Sequence, residues 1–263
     1  MNKQTKYLVI SVAAMLVLSS WDMDSDNWLT EKNRNYQYHY TAADKNNTKT
    51  YNQFIITGIR EVKTFFGAAF KNTFAVYVHP NRHSIDSTWQ HDWKMPEFKS
   101  ECWMVASGVS NRLDIISPIT WDKEACEHRY SETNKTQQVI THELVHVFHG
   151  QINASPDFSD VTNIDWFVEG LATYASGQCD AARIAEVQKA ITANTVPATL
   201  DLFWTGKLKY GISGSVVKYI DVKYGRNKLL QLLPFNKKKD ILAALGITEN
   251  ELLNNWKTYI SSL

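Results

Sequence analysis

Tyr36, Tyr38 and Tyr40 alternate with polar neighbours, the period of a half-buried strand. Tyr51, Ile55, Ile59, Val62 and Phe66 then recur at helical spacing up to Gly67, a stop signal. Short apolar runs over 74–78, between Asn72 and Pro80, and over 112–117, between Asn111 and Pro118, predict two further strands. Beyond residue 130 the period is helical throughout. Asn134 and Gln137 form a capping pair, and Val139, Ile140, Leu144, Val147 and Phe148 follow at helical intervals to Gly150. Residues 166–176 predict a second helix stopping at Gly177, and Val216, Val217, Ile220 and Tyr224 a third ending at Gly225. Thr248 and Glu251 form a capping box for a last helix that buries Leu252, Trp256, Tyr259 and Ile260. The pattern is α+β: one domain over 36–263, with an α/β lobe at 36–150 and a helical lobe at 151–263, and no repeat or linker.

The start of the chain has a different character. Lys3 and Lys6 precede an apolar run from Tyr7 to Leu18, which ends in Ser19 and Ser20 before an acidic stretch. This predicts a signal peptide over 1–20 and an exported product. Twelve residues are fewer than the roughly 20 needed to cross a bilayer. Residues 21–35 carry no period and are expected to be a flexible segment. In an oxidising compartment Cys102 and Cys126, which flank a predicted strand, are the expected disulfide, with Cys179 left over.

The chain has 263 residues, of which 44% are hydrophobic and 12% aromatic, which supplies a full core. Lys and Arg number 28 against 27 Asp and Glu, so no net field favours nucleic acid or an anionic membrane.

The chemistry concentrates on the helix that precedes Gly150. It carries His142-Glu143-Leu144-Val145-His146. Four residues at about 100° each bring the second imidazole back near the first, so both can reach one metal ion with Glu143 beside them. A catalytic zinc takes three protein ligands and keeps an open position. Glu169, in the next predicted helix within Trp166-Phe167-Val168-Glu169-Gly170, is the expected third ligand. An acid among apolar neighbours is costly to bury unpaired, and ligation removes that cost. The alternatives are two solvated helix histidines and a salt-bridged or exposed Glu169. His149, on nearly the same face, is expected to support the site or lie at the surface. His79, His83 and His91 read as a solvated strand end and loop, and Lys237-Lys238-Lys239 as a solvated turn.

His-Glu-x-x-His followed by Trp-x-x-Glu-Gly-x-Ala resembles the gluzincin zinc metallopeptidases of the peptidase MA-like families. Val105-Ala106-Ser107-Gly108, Leu113-Asp114-Ile115-Ile116 and Tyr210-Gly211 stand in the order of that fold. The resemblance implies a zincin-like, thermolysin-like catalytic domain with a small mixed sheet. It implies zinc held by His142, His146 and Glu169, and Glu143 as general base. It further implies that Leu113, Asp114 and Ile115 lie on a sheet edge that pairs an extended peptide or protein substrate. Tyr210 is the candidate donor to the transition-state oxygen, with Tyr174 as runner-up. Val168 stands where aminopeptidases usually have Asn, and no Gly-x-Met-Glu-Asn signature is present, so an endopeptidase is expected. Gly is absent at 149 and His at 152, so the metzincin pattern fails. Two alternatives remain: a degenerate peptidase-like module that binds zinc or a partner without hydrolysis, and a zinc hydrolase for a non-peptide bond. Specificity would lie in loops such as 80–101.

Overall fold

In the computed structural model, which describes residues 27–263, five strands form one sheet. They are β1 (Leu29–Lys32), β2 (Tyr36–Tyr40), β3 (Phe74–His79), β4 (Ala106–Val109) and β5 (Arg112–Ile116), in the spatial order β1-β2-β3-β5-β4. Strands β2, β3 and β5 run parallel, while β1 and β4 are antiparallel to their neighbours and form the edges. The expected signal segment lies outside the described residues.

Two expectations for this sheet fail. The segment expected to be flexible up to residue 35 contains β1, which pairs with β2 from Leu29 opposite Tyr40 to Lys32 opposite Gln37. All four β1 residues are exposed, so the ladder is held by backbone groups, and no apolar alternation marks it. The strand assigned to the substrate-facing edge is internal. Leu113, Asp114 and Ile115 lie on β5 between β3 and β4, at 1%, 5% and 3% exposure, with both sides of the strand paired. Such a strand has no free edge to offer a peptide. The edge beside it is β4, whose sequence Ala-Ser-Gly-Val is too short and too weakly apolar to read as a strand.

Ten α-helices accompany the sheet among the described residues. The first three are α1 (Thr48–Phe66), α2 (Arg82–Asp92) and α3 (Trp121–Glu124). The helical lobe adds α4 (Thr133–Gly150), α5 (Asp165–Ala175), α6 (Ala181–Thr192) and α7 (Lys209–Tyr224), then α8 (Arg226–Leu232), α9 (Lys238–Leu245) and α10 (Glu249–Ser261). Helix α2 replaces much of the loop expected over 80–101. It buries only Ile85 and Trp89, too thin a stripe to show a period, and it starts where the Asn81 side chain accepts from the Ser84 N–H. Thr248 and Glu251 form the predicted capping box on α10.

Helix α4 organises the rest. From Val139 to Gly150 every residue is buried, because α1, β4 and β5 pack on one side and α5 on another. It begins at Thr133, so Asn134 and Gln137 do not cap it. Instead Gln137 donates to the Phe54 carbonyl at 3.1 Å and to Thr141 Oγ1 at 3.0 Å, tying α4 to α1. Glycine permits two close approaches. A Cβ on Gly108 would lie 2.3 Å from the Glu143 carbonyl oxygen, and one on Gly170 would lie 2.4 Å from that of Ser213. Strand β4 therefore runs against the backbone of α4, and α5 against that of α7.

The chain entering β4 is fixed twice. Cys102 and Cys126 form the expected disulfide across 24 positions, a loop whose closure stabilises the fold by about 3 kcal/mol. The Arg82 guanidinium donates to the carbonyls of Met104 at 2.8 Å, Glu101 at 3.0 Å and Cys102 at 3.2 Å. Lys238, expected in a solvated turn, is half-buried between Asp201 and Glu249, at 2.6 and 3.0 Å. No helix among the described residues is long and apolar enough to cross a membrane.

Gly170→Ala is expected to destabilise the protein by about 1–3 kcal/mol through overpacking of α5 on α7, although alanine is the better helix former. Thermal unfolding should show a midpoint several degrees lower; an unchanged midpoint would mean that the two helices can separate at no cost.

Candidate metal centre

His142 and His146 project from α4 toward Glu169 on α5, across the 151–164 connection. Their ligand atoms all lie within 4.8 Å of one another. Glu169 Oε2 is 3.3 Å from His142 Nε2 and 3.5 Å from His146 Nε2. The imidazoles are almost sealed, at 8% and 7% side-chain exposure, while Glu169 retains 26% and marks the open side.

The chain just after α5 decides the state of His142. Gly177, at φ +78°, turns it back so that Gln178 Oε1 meets His142 Nδ1 at 2.9 Å. With the Gln178 amide in this orientation its oxygen can only accept, which places the proton of a neutral His142 on Nδ1. Nε2 then presents a lone pair to the Glu169 carboxylate at 3.3 Å. Two acceptors at that distance repel unless a cation lies between them or the imidazole takes a second proton. Donors about 2.0–2.1 Å from one tetrahedral ion stand about 3.3–3.4 Å apart, which matches the observed spacings. Nitrogen and carboxylate donors also suit a divalent transition metal. The residues fit a metal ion. Nδ1 of His146 is buried without a hydrogen-bond partner, and its ring is held by packing against His142 and Phe158.

Glu143 is buried between these histidines along the helix, at 9% exposure. Burial pushes its carboxyl up to about 7, with the His142 ring opposing and the Glu169 charge adding to the rise. Burial acts on Glu169 in the same sense, but the His146 and His142 rings beside it, in their charged form, outweigh that and hold its carboxyl below the usual range. Two acids 26 positions apart are thus driven in opposite directions by one cluster.

Tyr210 stands in the first turn of α7, its ring 6.3 Å from that of His142 and 4.7 Å from that of Trp204. Burial, then the charges of Glu169 and Glu143, push its hydroxyl up, which keeps it a donor. Tyr174 is not at the site. Its hydroxyl donates to Asp221 Oδ2 at 2.8 Å, within the Asp221–Arg226 ion pair.

Two of the remaining histidines, His149 and His79, differ from expectation. His149 is fully buried and stands outside the metal cluster. Its ring meets the Leu233 carbonyl at 3.1 Å and Asn153 Nδ2 at 3.2 Å. His79 is also fully buried, bridging Asp114 Oδ1 at 2.8 Å and Ser84 Oγ at 2.9 Å, and only His83 and His91 are exposed. No second metal cluster occurs among the described residues. Gln178 escaped sequence reasoning, because nothing local distinguishes a glutamine that reaches another helix.

Burial, then the charge of His146, lower the His149 imidazole to about 3, against a smaller opposing pull from the Leu233 carbonyl. An unfolded imidazole takes up its proton near 6.5, so the unfolded state binds more protons between about 6.5 and 3. Stability carried by neutral His149 is present above that window and lost as the pH falls through it. Denaturant unfolding from pH 7 to 4 should show a shallower loss for His149→Gln than for the parent; parallel slopes would mean that His149 does not carry the effect.

No curated protein matches the chain. The family model described as Peptidase MA superfamily matches residues 130–262, just over half of the chain, from the turn before α4 to the end of α10. That span contains both histidines, Glu143, Glu169, Gln178 and Tyr210, and the chain belongs to the Peptidase MA superfamily.

Proposed function

We propose that this protein is an exported, zinc-dependent endopeptidase of the gluzincin type with a thermolysin-like catalytic arrangement. One observation carries the reading: His142 Nε2 and His146 Nε2 face the same Glu169 oxygen at 3.3 and 3.5 Å, the spacing of ligands on one ion. His142, His146 and Glu169 would hold the zinc. When bound, zinc supplies a Lewis acid that polarises the scissile carbonyl and makes water more acidic.

The chain's own residues supply the rest. Glu143, raised to about 7, can take a proton from the attacking water near neutral pH and return it to the leaving amine. Tyr210, kept protonated, is the donor on the helical-lobe side for charge that develops on the carbonyl oxygen. The substrate edge passes from β5 to β4, whose outer side is unpaired among the described residues and which Gly108 holds against the Glu143 backbone. An extended peptide added there would bring its backbone past Glu143. Export is supported by the leader-like start of the sequence and by the disulfide, which persists in oxidising compartments.

Glu143→Gln is expected to keep zinc, by metal analysis after dialysis, while kcat/KM on a cleaved peptide falls by about 10²–10⁴. Parent-like cleavage by this variant would remove Glu143 as the base, and no cleavage of a broad peptide mixture by the zinc-loaded parent would favour a binding module. Glu169→Ala should lose zinc on the same dialysis, and Gln178→Leu should weaken zinc affinity about 10–100-fold. Undiminished zinc in Glu169→Ala would take that residue out of the site.

A further inference from the structure

Beside the proposed centre stand two cations that form no ion pair among the described residues. Arg183, on the first turn of α6, has its guanidinium carbon 5.3 Å from the centroid of the Tyr210 ring. Lys209, the first residue of α7, holds its ammonium 5.3 Å from the same ring, 4.0 Å from that of Trp103 and 4.7 Å from that of Trp204. Among the described residues neither side chain forms an ion pair or donates a hydrogen bond, and Nη1 of Arg183 is buried without an acceptor. Of the two acids three positions away, Asp180 accepts from the Arg183 backbone N–H at 2.9 Å and so caps α6, and Glu186 forms no ion pair with the guanidinium.

The contrast within the molecule is informative. Arg226 is paired with Asp221, Lys238 with Asp201 and Glu249, and Arg82 is spent on backbone carbonyls. Arg183 and Lys209 instead meet aromatic faces, which hold a cation in place without neutralising it. Both rest on the ring that stands 6.3 Å from His142. An extended peptide advances about 3.3–3.6 Å per residue, so a group one to three residues from a bond cleaved at the centre comes within their range.

The geometry points to a specificity subsite: Arg183 and Lys209 recognise a carboxylate of the substrate close to the scissile bond. This inference rests on the peptidase reading for the position of that bond. A guanidinium fork and an ammonium are the side chains that bind carboxylates by charge-assisted hydrogen bonds. The carboxylate is either the peptide's C-terminus, which makes the enzyme a trimmer of chain ends, or an Asp or Glu side chain, which gives acidic-site endoproteolysis.

The test uses peptides in matched pairs, C-terminal acid against amide in one arm and internal Glu against Gln in the other. For each pair kcat/KM is measured on the zinc-loaded parent, Arg183→Gln, Lys209→Gln and Arg183→Lys, and Kd by calorimetry on the same set in a Glu143→Gln background. The parent should favour the carboxylate member of one arm by about tenfold or more, in rate or in affinity. That ratio should collapse toward one in Arg183→Gln and in Lys209→Gln and survive in part in Arg183→Lys. The arm that shows it names the source of the carboxylate, and Lys209→Gln carries the test alone if Arg183→Gln does not fold. No preference in either arm, or one unchanged by both substitutions, overturns the inference and leaves the peptidase reading intact. A Kd ratio that follows Arg183 and Lys209 with no peptide cleaved by any form would uphold the subsite and sink the peptidase reading.

Discussion

The structure turns on one constraint: from Val139 to Gly150 every residue of α4 is buried, yet this stretch carries imidazoles and a carboxylate. Buried polar atoms are mostly satisfied within the protein, so these groups draw in neighbours, while Nδ1 of His146 and of His149 stays without a hydrogen-bond partner. Glu169 is brought in on α5 to meet both metal-facing rings, and Gln178 is turned back at Gly177 to fix the proton of His142. His149 draws in the Leu233 carbonyl and Asn153. The helical lobe is arranged to answer what α4 asks for.

Close backbone contact transmits that arrangement. Gly108 lets β4 lie on the turn that bears Glu143, and Gly170 lets α5 lie on α7, the helix that presents Tyr210. The Cys102–Cys126 bridge and the Arg82 carbonyl contacts hold the approach to β4. The proposed edge for substrate, the proposed base and the proposed oxyanion donor are therefore coupled through glycine positions that lack chemistry of their own. The opposite shifts of Glu143 and Glu169 follow from the same packing. One carboxylate is buried with little compensation and the other is buried between two imidazoles.

Much of the site was legible in the chain itself. His142 and His146 share a helix face because four residues at 100° nearly close a turn, and that holds wherever the helix is put. Glu169 could be found because an acid set among Trp166, Phe167, Val168 and Leu171 must be paired. The capping box at Thr248 and the stop at Gly67 are likewise local, since their partners lie within a turn. The helical pattern of α4 was readable, but its burial on all sides was not, because periodicity reports where apolar residues recur and not how many neighbours cover them.

Tertiary structure alone decided the rest. Strand order follows from backbone pairing, which every residue can make, so nothing in Leu113, Asp114 or Ile115 distinguishes an inner strand from an edge, and exposed β1 gave no signal at all. Gln178 and Arg183 acquire their meaning from side chains more than twenty positions away on other helices, and Lys209 in part from Trp103. The sequence by itself determined which side chains could share a metal, because that depends on the geometry of one helix turn. Only the folded chain decided which strand is free, which imidazole nitrogen keeps its proton and which cations remain unmatched, because those depend on long-range packing that leaves no periodic trace.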